Sequence, residues 1–233
     1  GAFGRFHPEK TGLRRDLDFF IVAFSFAALA LFIPHTQAAI RGALGFGMVL
    51  IYFIYILLTI RASKDLVSSG HGTEAEEPMF LCRIGLPNNT VVIVLQLVLG
   101  LGLLVAGAKG FIHGVEEAAQ IIGVSTLLLS LLIIPIATEL PEKVNSILWV
   151  RKGKDTLAFG NITGAMVFQG TLLPAIGIML TPWEPRVEVL SGLVITLVAA
   201  VWLRVLVARG GIKIWHLWVN GLMYLIYLGI VLL

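Results

Sequence analysis

Long apolar runs separated by short polar breaks dominate this chain. Seven of them, Leu17–Ile33, Ile40–Ile60, Thr90–Ile112, Ile121–Val150, Thr156–Leu180, Val187–Val207 and Ile214–Leu233, reach or approach hydrocarbon-core length. A helix needs about 20 residues to cross that core. The first run is short, and the fourth and fifth are long but interrupted. Lipid does not tolerate an unpaired backbone, and the alternation of barrel strands is absent. The pattern therefore predicts an all-α, polytopic membrane helix bundle of about seven transmembrane helices. One break is long: Arg61–Asn89, whose Ser68–Pro78 stretch is polar and turn-forming. It divides the chain into an N-terminal helix pair over residues 1–61, a cytoplasmic linker over 62–89 and a five-helix part over 90–233.

Composition narrows the class. Of 233 residues, 58% are hydrophobic and 13% charged, against about 25% charged in soluble domains, so no large water-soluble domain is left over. The net charge of +3 does not point to nucleic acid, because most basic residues lie in short loops beside apolar runs. Of 17 Lys and Arg, one side collects Arg5, Lys10, Arg14, Arg15, Arg61, Lys64, Arg83, Arg151, Lys152, Lys154, Arg204, Arg209 and Lys213. Arg41 and Arg186 fall on the other side, and Lys109 and Lys143 lie within runs. This bias predicts a cytoplasmic N-terminus and 61–89 loop, an outside C-terminus, and a plasma (inner) membrane location. Cys82 stands alone, so no internal disulfide forms. The chain starts at Gly1 and reads as a fragment or a processed product. His71 with Glu74, Glu76 and Glu77 reads as a solvated loop, and His113, Glu116 and Glu117 as a solvated cap. His216, Trp215 and Trp218 read as interfacial anchors.

The chemistry concentrates in the fourth run. After a clean apolar stretch, Pro135-Ile136-Ala137-Thr138-Glu139-Leu140-Pro141-Glu142-Lys143 places two carboxylates, an ammonium and two prolines at membrane depth. A charge at the bilayer centre costs roughly 2.5–3.5 kcal/mol on insertion scales, so such groups face cavities, pair, or bind ions. Each proline removes a backbone donor and frees a carbonyl one turn earlier. Thr138, Glu139 and Glu142 share one helix face, extended by Asn145 and Ser146. In the fifth run Asn161, Ala165 and Gln169 form a second polar stripe, interrupted by Gly160, Gly164 and Gly170, which permit close helix contact or local unwinding. The short basic loop Arg151–Asp155 makes the two helices antiparallel neighbours whose polar faces meet. Carboxylate, hydroxyl, amide and carbonyl oxygens are what hard cations such as Ca²⁺ and Na⁺ require. Glu139 stands four residues before Lys143 and is either its ion-pair partner or a ligand. Asn161 and Gln169 are either ligands or interhelical hydrogen-bond groups.

These two stretches resemble the α-repeat of the sodium/calcium exchanger superfamily. That repeat carries a G-T-S-L-P-E run in one helix and a G-N-x-x-G-S-N-x-F-N run in the next. They are matched by Ile136–Glu142 and by Gly160-Asn161-Ile162-Thr163-Gly164-Ala165-Met166-Val167-Phe168-Gln169. The resemblance implies that the chain corresponds to helices four to ten of a ten-helix inverted-repeat exchanger, with one α-repeat at about 121–180 and the first repeat missing. Gly100–Ser125 would be the helix that slides during alternating access. Thr138, Glu142 and Gln169 would hold ligand positions, and Pro135 would offer its carbonyl. Glu139 replaces a family Ser, Ala165 another Ser, and Gln169 an Asn or Asp.

The expected function is secondary active cation antiport, Na⁺/Ca²⁺ exchange first, with the ion site in broken helices near the membrane midplane. Metal-ligand candidates are Glu142, Thr138, Glu139, Gln169, Asn161 and Pro135. Partners would be the lipid bilayer, small cations and the missing N-terminal repeat of the same protein, with no cofactor and no nucleic acid. Two alternatives stay open: H⁺-coupled cation antiport, with Glu139 as the extra carboxylate, and a non-transporting scaffold or degenerate half. An enzyme is not expected, since no nucleophile elbow or zinc-binding His-Glu-x-x-His run occurs.

Overall fold

A computed structural model describes residues 9–68, 79–123, 129, 139, 142–210 and 212–232. The main elements are α1 (Lys10–Ala30), α2 (Ala38–Ser68), α3 (Phe80–Arg83), α4 (Thr90–Ile122), α5 (described over 142–151), α6 (Asp155–Leu180), α7 (Val187–Arg209) and α8 (Ile214–Leu232). The chain divides into two compact units, Gly1–Asp65 with Glu139–Leu233, and Leu66–Thr138.

Among the described residues five helices are long and apolar enough to cross a membrane: Ala38–Lys64, Thr90–Ile122, Asp155–Leu180, Val187–Arg209 and Ile214–Val231. The predicted spans differ at their ends. Helix α1 begins at Lys10 rather than Leu17, because Glu9 caps it: its carboxylate accepts from the backbone N–H of Thr11 at 2.7 Å and from that of Gly12. The helix thereby takes in Arg14, Arg15, Asp16 and Asp18, too many charges for an unaided membrane span. Helix α4 runs ten residues past Ile112 and ends at Gly123 in the left-handed region (φ 77°), where a side chain is disfavoured. The fifth run is one continuous helix, α6, so the expected interruption is not found there. Pro174 lies within it without ending it. Most of Ile121–Val150 lies outside the described residues.

In the first unit, α1 is the organising element. Its residues Leu13, Asp16, Leu17, Phe20, Ala23, Ala27 and Ala30 form one buried stripe at helical spacing. Three apolar layers meet it in succession. Leu13 and Leu17 pack with Val207 and Ile212. Phe20 packs with Tyr55, Val167 and Ala200. Ala27 and Ala30 pack with Met48, Ala175 and Ile178. The order shows that α1 and α6 run parallel while α2 and α7 run antiparallel to them. A Cβ at Gly170 would lie 2.4 Å from Phe20 Cε2, so only glycine allows this approach of α1 to α6.

Charges sort by end. Glu9 N–H donates to Thr156 Oγ1 at 3.1 Å, Arg14 reaches the Val207 carbonyl at 3.4 Å, and Arg204 pairs with Asp18 at 2.6 Å. Arg14, Asp155 and Arg209 therefore share one end of this unit. At the other end Arg41 is 3% exposed and donates to the carbonyls that finish α6: Ile178 at 3.1 and 2.8 Å, Thr181 and Pro182. His216 is buried, and its Nδ1 accepts from the Lys213 N–H at 3.0 Å at the start of α8, while Trp215 and Trp218 stay exposed. Large apolar side chains such as Phe53, Leu57, Val201 and Leu225 remain exposed on α2, α7 and α8, as lipid-facing surfaces do.

In the second unit, the Asn89 side chain caps α4 by accepting from Val92 N–H at 2.9 Å, and Leu81 N–H donates to Gln96 Oε1 at 3.0 Å. Val115 and Ala119 pack on Leu129. His113 and Glu117 form an exposed pair at 3.3 Å on the last turns of α4.

Candidate functional site

The turn at residues 152–154 sends α6 back along α5, as the basic loop implied. Lys154 N–H donates to the Trp149 carbonyl at 2.8 Å and Gly153 takes φ 71°, a conformation that suits glycine. Three side-chain bonds then join the two helices. Asn161 Nδ2 donates to the Glu142 carbonyl at 3.2 Å and to Ser146 Oγ at 3.3 Å. Ser146 Oγ donates to the Ala158 carbonyl at 3.2 Å. Interhelical bonds of this kind are worth about 0.6–2 kcal/mol each in membranes. They consume the donors of Asn161, and its Oδ1 makes no hydrogen bond among the described residues.

Among the described residues Thr59, Glu142, Trp202 and Asn220 each bury a side-chain N or O atom without a hydrogen-bond partner, and Glu142 is the one carboxyl among them. Its Oε2 is buried without a hydrogen-bond partner among the described residues. An orphaned buried acceptor costs about 1–3 kcal/mol, and more when charged. Native proteins accept that cost where water, an ion or a functional role supplies the partner. Glu142 lies nine residues before Arg151, about 14 Å along a helix, close to half of a ~30 Å hydrocarbon core. Glu139, by contrast, has a partner: Lys143 Nζ lies 3.1 Å from its Oε2, the i,i+4 pair that spacing allowed.

The remaining predicted residues are less gathered. Gln169 is half-buried and makes no hydrogen bond among the described residues, and it lies on α6 eight residues past Asn161, about 12 Å along the axis. Thr138 and Pro135 lie outside the described residues. A cavity of about 710 Å³ opens beside the α5–α6 contact, walled by Leu17, Ile147, Phe159, Met166 and Leu203, with Ser146 and Lys143 on its edge. Its walls are mostly apolar, and its polar lining comes from Lys143, Ser146 and Arg151 of α5, Thr163 of α6 and Asn220 of α8. No cluster of three or more His, Cys, Asp or Glu suited to holding a metal occurs among the described residues.

Among the described residues, sequence reasoning missed four buried polar side chains: Asp16, Arg41, Thr163 and Thr171. Asp16, 3% exposed, accepts from Thr163 Oγ1 at 2.6 Å and from Arg15 Nη2 at 3.2 Å. The signal was present in the spacing: Asp16 falls on the apolar stripe of α1, and Arg41 stands four residues before Gly45 and seven before Met48 on the stripe α2 turns toward α6.

Residues 92–233 match the family model described as sodium/calcium exchanger protein. The chain belongs to that family. It is 40% identical over 96 residues to a protein named as an antiporter, CaxA, of Alkalimonas amylolytica, covering 41% of this chain and 30% of that protein. It is 24% identical over 174 residues to inner membrane protein YrbG of Escherichia coli, covering 74% of this chain and 51% of the relative. It is 28% identical over 97 residues to sodium/calcium exchanger MaX1 of Methanosarcina acetivorans, covering 42% and 28%. These matches thus span about half or less of each relative. No solved structure matches the chain at comparable significance. Family membership and the apolar helices together make this an integral, multi-pass membrane protein.

Proposed function

We propose that this exchanger-family chain carries one half of the ion site of a cation/Ca²⁺ antiporter, with Na⁺ as the coupling ion and Glu142 as the main carboxylate. The observation that carries this reading is the buried, unpartnered Oε2 of Glu142 beside the Asn161–Ser146 bonds. A hard cation satisfies such an oxygen directly. Exchange follows if Ca²⁺ and Na⁺ compete for the same carboxylate and cannot occupy it together. Asn161 Oδ1, the Gln169 amide oxygen, the Thr138 hydroxyl and the Pro135 carbonyl are the further oxygen donors of the reading. Glu139, balanced by Lys143 at 3.1 Å, acts as a neutralised pair rather than a ligand. The rest of the site would come from a repeat of the same protein beyond this chain. Positive charge gathered at the Arg14, Arg151 and Arg209 end supports a cytoplasmic location for that end, in a plasma (inner) membrane with the C-terminus outside.

The test is Ca²⁺ uptake into proteoliposomes of the full-length protein under an outward Na⁺ gradient, then an outward H⁺ gradient. Na⁺-driven uptake lost in Glu142→Gln is the expected result. Uptake driven only by protons would assign the coupling to H⁺ instead. Absence of uptake under either gradient, from folded protein, would favour a scaffold.

A further inference from the structure

We propose that Asp16 is a positioning residue for α6: its bond to Thr163 keys the back of that helix so that its front presents Asn161 to Ser146 and Glu142. The functional meaning of this contact rests on the cation-site reading above.

Thr163 and Asn161 are two residues apart, about 200° around a helix. One faces α1 and the other faces α5, so α6 is gripped between them. On the α1 side there are three contacts in order. Thr163 Oγ1 donates to Asp16 Oδ2 at 2.6 Å, Phe20 lies against Gly170, and beyond the end of α6 Trp183 Nε1 donates to the Ala27 carbonyl at 3.0 Å. Apolar ridges slide and rotate at modest cost. A short bond to a buried carboxylate does not, because any slip takes from Oδ2 a donor that a low-dielectric interior does not replace. The cost of burying Asp16 is itself informative, since an apolar residue on the α1 stripe would pack as well. Arg15 makes the burial tolerable: Nε and Nη2 lie 3.3 and 3.2 Å from Asp16 Oδ1, and its guanidinium sits 5.8 Å from the Tyr55 ring centre. The Tyr55 hydroxyl also faces Asp16 and lies 3.6 Å from where a Cβ at Gly164 would be. The key therefore fastens α1, α2 and α6 at one level, one turn or less from Asn161.

The test uses the full-length protein in two arms. In the first, Thr163→Val, Thr163→Ser and Asp16→Asn are compared for Ca²⁺ uptake in proteoliposomes. Losing a group that orients a metal ligand typically costs 10–100-fold in affinity, so Thr163→Val and Asp16→Asn should raise the apparent KM for Ca²⁺ by about tenfold. Thr163→Ser, which keeps the hydroxyl, should restore it. In the second arm, Ser146→Cys with Asn161→Cys in a Cys82→Ser background reads the α5–α6 register by oxidative cross-linking, with no transport needed. The cross-link should form readily, weaken when Thr163→Val is added, and persist with Thr163→Ser. Cross-linking indifferent to Thr163→Val overturns the proposal, as does a Thr163→Val protein that melts earlier with an unchanged KM. Should Glu142→Gln transport normally while cross-linking still depends on Thr163, the cation-site reading fails and the positioning role stands.

Discussion

Replacing Arg41 by methionine should loosen the end of the bundle opposite the basic loops. The guanidinium is 3% exposed and serves three carbonyls, Ile178, Thr181 and Pro182, where α6 has no further N–H groups to offer them. Methionine keeps most of the stem and removes every donor. Each orphaned buried acceptor costs about 1–3 kcal/mol, and a cation at a helix C-terminus adds about 0.3–2 kcal/mol. Thr181 and Pro182 are exposed residues, so water recovers part of their loss, and releasing a buried arginine that has no carboxylate partner among the described residues offsets more. The Ile178 carbonyl, held at 2.8 and 3.1 Å, has no such replacement. The net is about 2–4 kcal/mol, or a melting point lower by roughly 5–15 °C for a chain of this size. Lysine keeps the charge but not the planar fork, and should fall about half as far. Tryptophan fluorescence during a thermal scan in detergent is the assay, since Trp183 bonds Ala27 at the same end. A methionine variant melting within about 2 °C of the parent, or a lysine variant falling as far as methionine, would refute the reasoning.

Two further perturbations test packing and pH. Gly170→Ala should destabilise by about 1–3 kcal/mol through overpacking, because its Cβ meets the Phe20 ring at 2.4 Å, whereas Gly160→Ala meets nothing within 4 Å and should stabilise; chemical unfolding of both separates close approach from helix propensity. Burial alone would raise the Glu9 carboxyl, but the N–H groups of Gly12 and Thr11, the Thr11 side chain and the charge of Arg15 outweigh it and hold it below the usual range. A carboxyl whose folded pKa is depressed contributes stability above its unfolded pKa, about 4.3, and loses it as pH falls through the lower folded value. Thermal scans from pH 6 downward should show an acid-side loss in the parent that is smaller in Glu9→Gln.

Much of this architecture is written in periodicity. Apolar runs of membrane length predict the helices, and the Arg151–Asp155 loop predicts that α5 and α6 return along each other. The i,i+4 spacing of Glu139 and Lys143 anticipates their ion pair. What escaped was the position of charges relative to the stripes. Asp16 falls just before the apolar run that opens at Leu17 and so reads as a flank, yet a Glu9 cap extends α1 backwards and carries it into the interior. Arg41 reads only as one of two cations on the minority side, at the start of the run Ile40–Ile60, until α6 is seen to end against it. Stripe spacing hints that both are buried, but their partners lie more than a hundred residues away, which no local window contains. Gly164 and Gly170 read equally as places for unwinding or for close contact; at Gly170 packing against Phe20 decides for contact within an unbroken helix.

The central claim is that Glu142 offers an open carboxylate oxygen to the transported cation. Equilibrium Ca²⁺ binding to the full-length protein, measured by titration calorimetry, addresses it most directly. Binding lost in Glu142→Gln and retained in Glu139→Gln, whose carboxylate already has Lys143, is the predicted result. Undiminished binding in Glu142→Gln, or loss confined to Glu139→Gln, would contradict the account.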